Sequence, residues 1–479
     1  MWRLDQAIND RGIPMDAPFL RGVLSVLEEI DADRLKQIQD LTDGEVESPR
    51  QVAVLQGWLA RHGCTLKDLM AGTVRDYLAS GKASPEVAAV LRLRQELSRS
   101  STAKYSAALA CIGRGDRVRG SLLFYGANTG RWSGRLIQPQ NLPRCKLSAE
   151  ELDGAVFDLF SGADANPMAT ASLALRSAIT SLKGLTWGDL DQIEARALPW
   201  LAGDMDILED FRKGKDVYIS AAAGIYSKAK EEISKESDER QVGKVAVLAL
   251  GFGGGIGAFA TMATGVYNVD LSAMVAPVMA RATANQIEKA KKAVTRYMAM
   301  AETPIPADQA LACDLVKQFW RASRPETVKF WYALADAAGS AVANPGQNFR
   351  VGSLLIGMYK EWLVIKLPSS RRLYYFKPQI DSKGGFSCMR NTIEGWHRRE
   401  LHGGIFAENV TQAVSRDVLC VAMLEMERQG IPVVLTVHDE VVAEGDHVET
   451  MKRIMNQQIA WAPGLPIAAK IGKGVRYGK

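Results

Sequence analysis

An uncharged stretch of 25 residues, 245–269, most constrains what this chain can fold into. Such a length could cross a bilayer as a helix. However, the stretch contains six glycines, and each glycine destabilises a helix interior by about 1 kcal/mol relative to alanine. No second candidate of this kind exists in the sequence. We therefore expect a buried helix that ends in a glycine loop, and no membrane span.

Composition indicates a globular protein with reduced thiols. The 479 residues correspond to about three domains of roughly 150 residues each. Six cysteines are scattered without a C-x-x-C pair, and this disfavours both a disulfide framework and a zinc site. The segment that follows Met1 is not a signal peptide, so we expect a cytoplasmic protein.

The net charge of +5 is too small to identify a partner, but the charge is unevenly distributed. Between residues 92 and 135 there are nine basic and two acidic side chains. Four aromatic residues are interleaved with them: Tyr105, Phe124, Tyr125 and Trp132. Exposed rings beside cations suit stacked bases and phosphates. The alternative is an ordinary solvated helix face.

One carboxylate, Asp189, lies where an apolar strand-like run ends. A helical pattern then begins near Asp191, and Asp191 and Glu194 have the spacing of a helix-capping pair. Capping is therefore an alternative explanation for these two residues. It does not explain Asp189, whose position is typical of a metal-binding ligand.

A second acidic cluster, His438-Asp439-Glu440, separates two strand-like segments, 433–437 and 441–443. Aspartate is common in turns, but three functional side chains at one tip suggest more than a turn. If Asp189 and Asp439 meet, they could hold two divalent cations that stabilise a phosphoryl displacement. Oxygen ligands favour magnesium over zinc.

Four residues spaced four apart, Arg240, Lys244, Leu248 and Phe252, would share one helical face. Two cations, an apolar side chain and a ring would meet a triphosphate, a sugar and a base in that order. The alternative is a surface helix with two exposed basic residues. Gly253, Gly255 and Ala258 also fit a relaxed form of the dinucleotide fingerprint, which we reject because a helix rather than a strand precedes them.

Two further segments complete the pattern. Residues 129–144 form a loop rich in donors suited to minor-groove acceptors and phosphates: Arg131, Gln138, Gln140 and Asn141. Residues 362–367 and 372–376 predict a β-hairpin that turns at 368–371.

Together, these motifs resemble the polymerase module of family-A DNA polymerases of the bacterial DNA polymerase I type, and most of all its phage members. The family's primer-grasping loop appears as TGRWSG…QPQNLPR, and its catalytic DYSQIE as DLDQIE at 189–194. Its nucleotide-binding helix reads R-x3-K-x3-L-x3-FG from Arg240, and its VHDE lies at 437–440. The likeness runs from about residue 80 to the end.

The resemblance implies roles for these residues. Asp189 and Asp439, with the backbone carbonyl of Leu190, would bind two Mg²⁺ ions. Arg240 and Lys244 would grip the triphosphate, and Lys244 would also donate a proton to pyrophosphate.

Other implied roles concern sugar selection and DNA. Glu194 would exclude a ribose 2′-hydroxyl. Arg131 and His438 would hold the primer end, and Glu440 would have a supporting role. The template-contact candidates, for which the family pattern gives no clean match, are Asn409, Gln412 and Arg416. The sequence departs from the family at Leu248, where an aromatic ring is usual, and at Phe252, which lacks the usual tyrosine hydroxyl.

The implied fold is α+β and mainly helical, with the thumb, palm and fingers of a right hand and an antiparallel palm sheet. We expect a helical lead-in over 1–80, a thumb over 81–125, fingers over 205–400 and a palm formed by 126–204 and 401–479. No exonuclease is recognisable in 1–80, so it would be upstream, separate or lost. The abrupt start favours a fragment.

The implied partners are primer–template DNA and dNTPs, and the implied protein is a monomer, in the bacterial host cytoplasm if phage-encoded. Glu194 argues against a single-subunit RNA polymerase, which needs room for the ribose. The His-Asp-Glu turn argues against a reverse transcriptase, which usually carries paired aspartates. A catalytically inactive DNA-binding scaffold is disfavoured because Asp189, Asp439 and the Arg/Lys pair are all present.

Overall fold

The computed structural model describes residues 1–97, 101–145, 147–392 and 394–478. The first group of helices precedes the long strand over residues 180–190: α1 (Trp2–Arg11), α2 (Ala17–Leu41), α3 (Val52–Arg61), α4 (Ala71–Ala79), α5 (Pro85–Leu97), α6 (Ser101–Cys111), α7 (Ala149–Ser161) and α8 (Pro167–Ala174). The second group follows that strand: α9 (Ile193–Ala202), α10 (Met205–Arg212), α11 (Val217–Tyr226), α12 (Asp238–Leu250), α13 (Ile256–Gly265), α14 (Leu271–Arg281), α15 (Ala284–Met300), α16 (Ala307–Ala322), α17 (Pro325–Ala343), α18 (Gly403–Arg428) and α19 (Val448–Met455).

The strands form four antiparallel sheets. Short strands build a three-stranded sheet, β1 (Ile13–Pro14), β2 (Ile112–Gly113) and β3 (Arg117–Val118), and a two-stranded one, β4 (Leu122–Leu123) and β5 (Ser133–Gly134). The six-stranded sheet contains β7 (Asn348–Val351), β8 (Leu354–Tyr359), β9 (Trp362–Lys366), β10 (Arg372–Ile380), β11 (Phe386–Thr392) and β12 (Gly395–Leu401). The four-stranded sheet contains β6 (Thr180–Leu190), β13 (Val433–Val437), β14 (Glu440–Glu444) and β15 (Ala469–Arg476).

The four-stranded sheet has the order β13-β14-β6-β15 and places β6 between two partners. Every residue of β13 and β14 is buried. Valines dominate β13, and β14 places two valines and an alanine between two buried glutamates. The last residues of β6 therefore lie at a fixed position beside the β13–β14 turn.

The six-stranded sheet runs in order from β7 to β12, each strand pairing with its neighbours in sequence. The predicted hairpin is confirmed, because β9 and β10 pair over Trp362–Lys366 and Arg372–Phe376. The sequence did not reveal the other four strands. One face of the sheet packs against α18, where the rings of Tyr375 and Phe406 lie 5.2 Å apart.

The uncharged stretch forms the predicted buried helix and glycine loop. Helix α12 ends at Leu250, a turn follows, and α13 begins at Ile256. Within the described part of the chain, no helix is both long enough and apolar enough to span a membrane.

Three large hydrophobic cores cross the predicted domain boundaries. One joins the long helices and the six-stranded sheet between residues 197 and 414. A second joins residues 4–27 to the four-stranded sheet, and a third lies among helices within 38–91. The predicted lead-in over 1–80 is thus divided between two cores.

The expectation of exposed aromatics in the basic segment is wrong for two of its four rings. Tyr105 is fully buried and donates its hydroxyl hydrogen to Ala171 O at 3.0 Å. Trp132 is also buried, and its indole N–H donates to Asp5 Oδ1 at 2.8 Å. Each ring has found a polar partner inside the protein, as buried tyrosine and tryptophan usually do. Tyr125 remains exposed.

Candidate active site

The strand ends bring Asp189 and Asp439 together. Asp189 is the second-last residue of β6 and pairs in register with Glu440, the first residue of β14. His438 and Asp439 form the turn between β13 and β14, and His438 adopts a φ of 54°. The backbone N–H of Leu190 donates to Asp439 O at 3.0 Å. Asp189 and Asp439 are far apart in sequence, yet they lie at the same end of the four-stranded sheet.

The carboxyl group of Asp439 is held in an unfavourable environment for a negative charge. Desolvation raises its pKa to about 6, and the nearby charges of Glu194 and Asp189 act in the same direction. Arg131 opposes this shift: its Nη2 lies 3.0 Å from Asp439 Oδ1 and 2.5 Å from Glu194 Oε1. Burial and the neighbouring carboxylates thus disfavour the anion of Asp439, and Arg131 is a cation that contacts it.

The capping explanation for Asp191 and Glu194 is wrong. Helix α9 begins at Ile193, and the preceding Gln192 is left-handed and makes no side-chain cap. The carboxylate of Asp191 instead binds Arg196 Nη2 at 2.9 Å and Lys470 Nζ at 2.7 Å. Sequence reasoning missed Lys470, because this residue gives no local signal. Lys470 lies on β15 and pairs in register with Asp189 of β6.

The cations of α12 are half-buried, so the alternative of a surface helix with two exposed basic residues is wrong. Arg240 binds Asp216 at 2.8 Å, and Asp216 also caps α11. Lys244 Nζ lies 4.4 Å from the centre of the Tyr267 ring. Burial and the charge of Arg240 lower the pKa of Lys244. Sequence reasoning missed Asp216 and Tyr267, although an aspartate just before α11 is a recognisable capping signal.

Phe252 departs from the predicted helical face, because α12 ends at Leu250 and Phe252 lies in the following turn. It nevertheless lines the same cleft as Leu248 and Glu194. Leu248 is 37% exposed there. The cleft thus joins the end of α12 to Glu194. We call Glu194, Asp189 and Asp439 the carboxylate cluster.

The loop of arginine and amides contacts the β13–β14 turn. Gln140 donates its side-chain N–H to Thr436 O at 3.3 Å, and Asn141 donates to the side chain of Gln138 at 2.8 Å. Desolvation lowers the pKa of His438, as do the charges of nearby arginines, against a hydrogen bond with the Gln140 backbone that raises it. The loop and the turn therefore form one surface beside Asp439.

The three candidates for template contact on α18 have different surroundings. Gln412 donates to Glu408 Oε1 at 3.1 Å, and Asn409 donates to the Tyr375 hydroxyl at 3.1 Å. Both line a second cleft. Arg416 is buried with its guanidinium 4.7 Å from the centre of the Trp132 ring, so the expectation that it contacts the template is wrong.

Glu440 is buried behind the turn and interacts with Tyr477, a residue that sequence reasoning missed. Burial and the charge of Glu440 raise the pKa of the Tyr477 hydroxyl. Arg176 Nη1 donates to that hydroxyl at 3.5 Å. These contacts fix the strand that carries Glu440 and, beside it, Asp439.

Comparison with known proteins shows what the chain is similar to. Residues 25–304 match the model of DNA polymerase family A. A DNA polymerase of Bacillus phage SP02 is 33% identical over 491 residues, which cover 98% of this chain and 69% of the phage protein. The POL domain of Pol1 from M. smegmatis, solved in complex with DNA primer-template and dNTP, has a TM-score of 0.62 and 16% identity, covering 99% of this chain and 69% of that one.

The structural match confirms the predicted α+β polymerase architecture, and the sequence matches confirm the resemblance on which the functional prediction rested. The family model matches more than half of the chain, and the phage relative matches almost all of it. The chain therefore belongs to DNA polymerase family A and is a template-directed DNA polymerase.

Proposed function

We propose that this polymerase adds dNTPs to a DNA primer with Asp189 and Asp439 holding two Mg²⁺ ions. The observation that carries the proposal is the placement of these two carboxylates on paired strands, with Leu190 hydrogen-bonded to Asp439. Glu194, whose charge acts on Asp439, lines a cleft together with Leu248.

Family-A polymerases use divalent metal ions, and the residues present fit such ions. Burial and the neighbouring carboxylates raise the pKa of Asp439, which supports a bound cation beside it. In the described part of the chain, no group of three or more His, Cys, Asp or Glu side chains is arranged around a metal position. Mg²⁺ does not need one, because it is commonly bound by one or two carboxylates together with water and substrate phosphates. The carbonyl of Leu190 would complete the protein's contribution.

When bound, two such ions stabilise the attacking and leaving oxygens of an in-line phosphoryl transfer. The chain's own residues would orient the other parts of the substrate. Arg240 and Lys244 would bind the triphosphate, for which Arg240 would exchange its contact with Asp216. A lowered pKa makes the Lys244 ammonium a stronger acid, which supports a role as proton donor to the pyrophosphate leaving group.

Glu194 would select the sugar, and Arg131 would hold the primer end. Glu194 lies at the junction of the carboxylate cluster and the Leu248 cleft, where a ribose 2′-hydroxyl would meet it. Arg131 contacts both Glu194 and Asp439 in this structure, so it already lies beside these carboxylates. His438 and Gln140 extend the same surface toward the DNA.

The hydrophobic cores support a revised division into domains. We propose a thumb formed by α2 to α6, whose outer part has its own core within 38–91. The fingers would comprise the helices and sheet between α10 and β12, and the palm the four-stranded sheet with α18 and α19. Residues 4–27 pack with the palm core. The phage relative supports a role in phage DNA replication in a bacterial host.

Primer extension with Mg²⁺ tests the proposal, with dNTPs and NTPs compared on DNA and RNA templates. We expect extension with dNTPs on DNA, and none by Asp189→Ala or Asp439→Ala. The variants should bind primer–template within a few-fold of the wild type. Asp446→Ala, which removes an exposed carboxylate elsewhere, is the matched control. Near-normal extension by either active-site variant would refute the metal assignment.

A further inference from the structure

The six-stranded sheet carries more positive charge than the chain as a whole. Residues 348–401 contain ten basic and four acidic side chains, an excess of six, whereas the formal net charge of the whole chain is +5. The rest of the molecule is therefore almost neutral. Arg371 is ion-paired with Asp417 of α18, but the remaining excess of positive charge attracts nucleic-acid phosphates irrespective of sequence.

Four aromatic rings from β9, β10 and β12 form a row that crosses the intervening β11. Ring centres are 6.1 Å apart for Tyr374 and Trp362, 4.6 Å for Trp362 and Phe376, and 5.1 Å for Phe376 and Trp396. Side chains alternate along a strand, so the intervening Tyr375 points to the opposite, buried face.

The two ends of the row are open to solvent. Tyr374 is 50% exposed and Trp396 is 52% exposed. Cross-strand aromatic pairs stabilise sheets, and this accounts for the half-buried Trp362 and Phe376. It does not account for two half-exposed rings at the ends. Exposed rings beside cations are the features with which proteins bind single-stranded nucleic acid, because every base has a face that can stack.

The row continues into the cleft that approaches the active site. The four rings line this cleft together with Asn409 and Gln412 of α18. Thr129, two residues before Arg131, lies on its other side. The cleft therefore links the loop at the carboxylate cluster to the aromatic face of the sheet.

We propose that this face binds the single-stranded template ahead of the primer terminus. Unpaired bases would stack on Tyr374 and Trp396. Arg398, which pairs with Met389 and therefore shares the face of Phe376, would contact the phosphates. The inference rests on the proposed function, because it takes the cleft as the path of the template to the active site.

Binding of primer–templates with different template overhangs tests this inference. The affinities of the wild type, Trp396→Ala and Tyr374→Ala are measured for overhangs of about two and about 12 nucleotides, the longer lying within the range of single-strand binding sites. Trp2→Ala is the matched control, because Trp2 is 61% exposed on α1 and lies outside this sheet. Binding to free oligo-dT of about 12 nucleotides is measured alongside.

We expect the wild type to bind the long overhang more tightly than the short one, and each sheet variant to lose about tenfold on the long overhang and on oligo-dT. Trp2→Ala should match the wild type. Equal losses on both overhangs, no loss on either, or an equal loss in Trp2→Ala would overturn the inference. Single-nucleotide incorporation by the wild type on the short overhang tests the proposed function separately, so the two failures are distinguishable.

Discussion

The ionised side chain of Asp439 should lower the free energy of unfolding of the metal-free enzyme at neutral pH. The substitution Asp439→Asn should therefore raise that free energy. Burial and neighbouring carboxylates raise the pKa of Asp439 from its ordinary 3.8 to about 6. The native state therefore binds this proton more tightly than the unfolded state. Stability consequently falls as the pH rises from about 4 to 6, and the full cost remains at higher pH. Asparagine imitates the protonated, uncharged form.

The size of the effect follows from the same shift. One pKa unit corresponds to about 1.4 kcal/mol, so the cost at pH 8 is about 3 kcal/mol. Unfolding entropy of about 2.1 cal/mol/K per residue gives roughly 1 kcal/mol/K for a chain of this length. We therefore expect Asp439→Asn to melt about 3 °C above the wild type at pH 8 in EDTA, with no difference near pH 4. Added Mg²⁺ should raise the wild-type melting temperature and narrow the gap.

Thermal melts of both proteins from pH 4 to 8 measure this difference. Asp446→Asn is the control, because the pKa of Asp446 is lowered by exposed Lys473 rather than raised by burial. Its substitution should leave the melting temperature unchanged or slightly lower. A melting temperature of Asp439→Asn at or below that of the wild type at pH 8 in EDTA would refute the electrostatic argument.

Three further outcomes are expected. Glu194→Ala should raise the ratio of NTP to dNTP incorporation in single-turnover assays, and an unchanged ratio would exclude it as the sugar gate. Leu248→Phe should raise the incorporation rate or nucleotide affinity, because base–aromatic stacking is worth about 1–3 kcal/mol; a variant both slower and less stable would mean that Leu248 is a packing residue. Mg²⁺ affinity, measured by calorimetry, should weaken about tenfold per pH unit below the Asp439 pKa of about 6, and a flat profile from pH 5 to 7 would argue against Asp439 as a ligand.

Features with a local cause could be predicted from the sequence. The strand that carries Asp189 at its second-last position, the turn that carries Asp439, the β9–β10 hairpin and the glycine loop after α12 all appear close to where the pattern placed them. Alternation, turn residues and glycine act over a few residues, so their consequences can be derived without knowledge of the fold. The order of the motifs also identified the family.

Features that depend on distant partners could not be predicted in this way. Arg131 reaches Glu194 and Asp439 across 63 and 308 residues of chain. Lys470 approaches Asp191 only because β15 lies beside β6. No local pattern encodes these pairings, since they arise from the way the sheets and helices pack.

Burial was the other property that only the tertiary structure decided. Tyr105, Trp132 and Arg416 are of the residue types that occur on exposed nucleic-acid-binding surfaces, yet all three are buried. The aromatic surface lies instead on the six-stranded sheet, where one face packs against α18 and the other remains open. A residue's type sets what it can bind, but the packing of distant segments determines whether it is exposed to solvent. The same packing partly buries Asp439, and this desolvation raises its pKa.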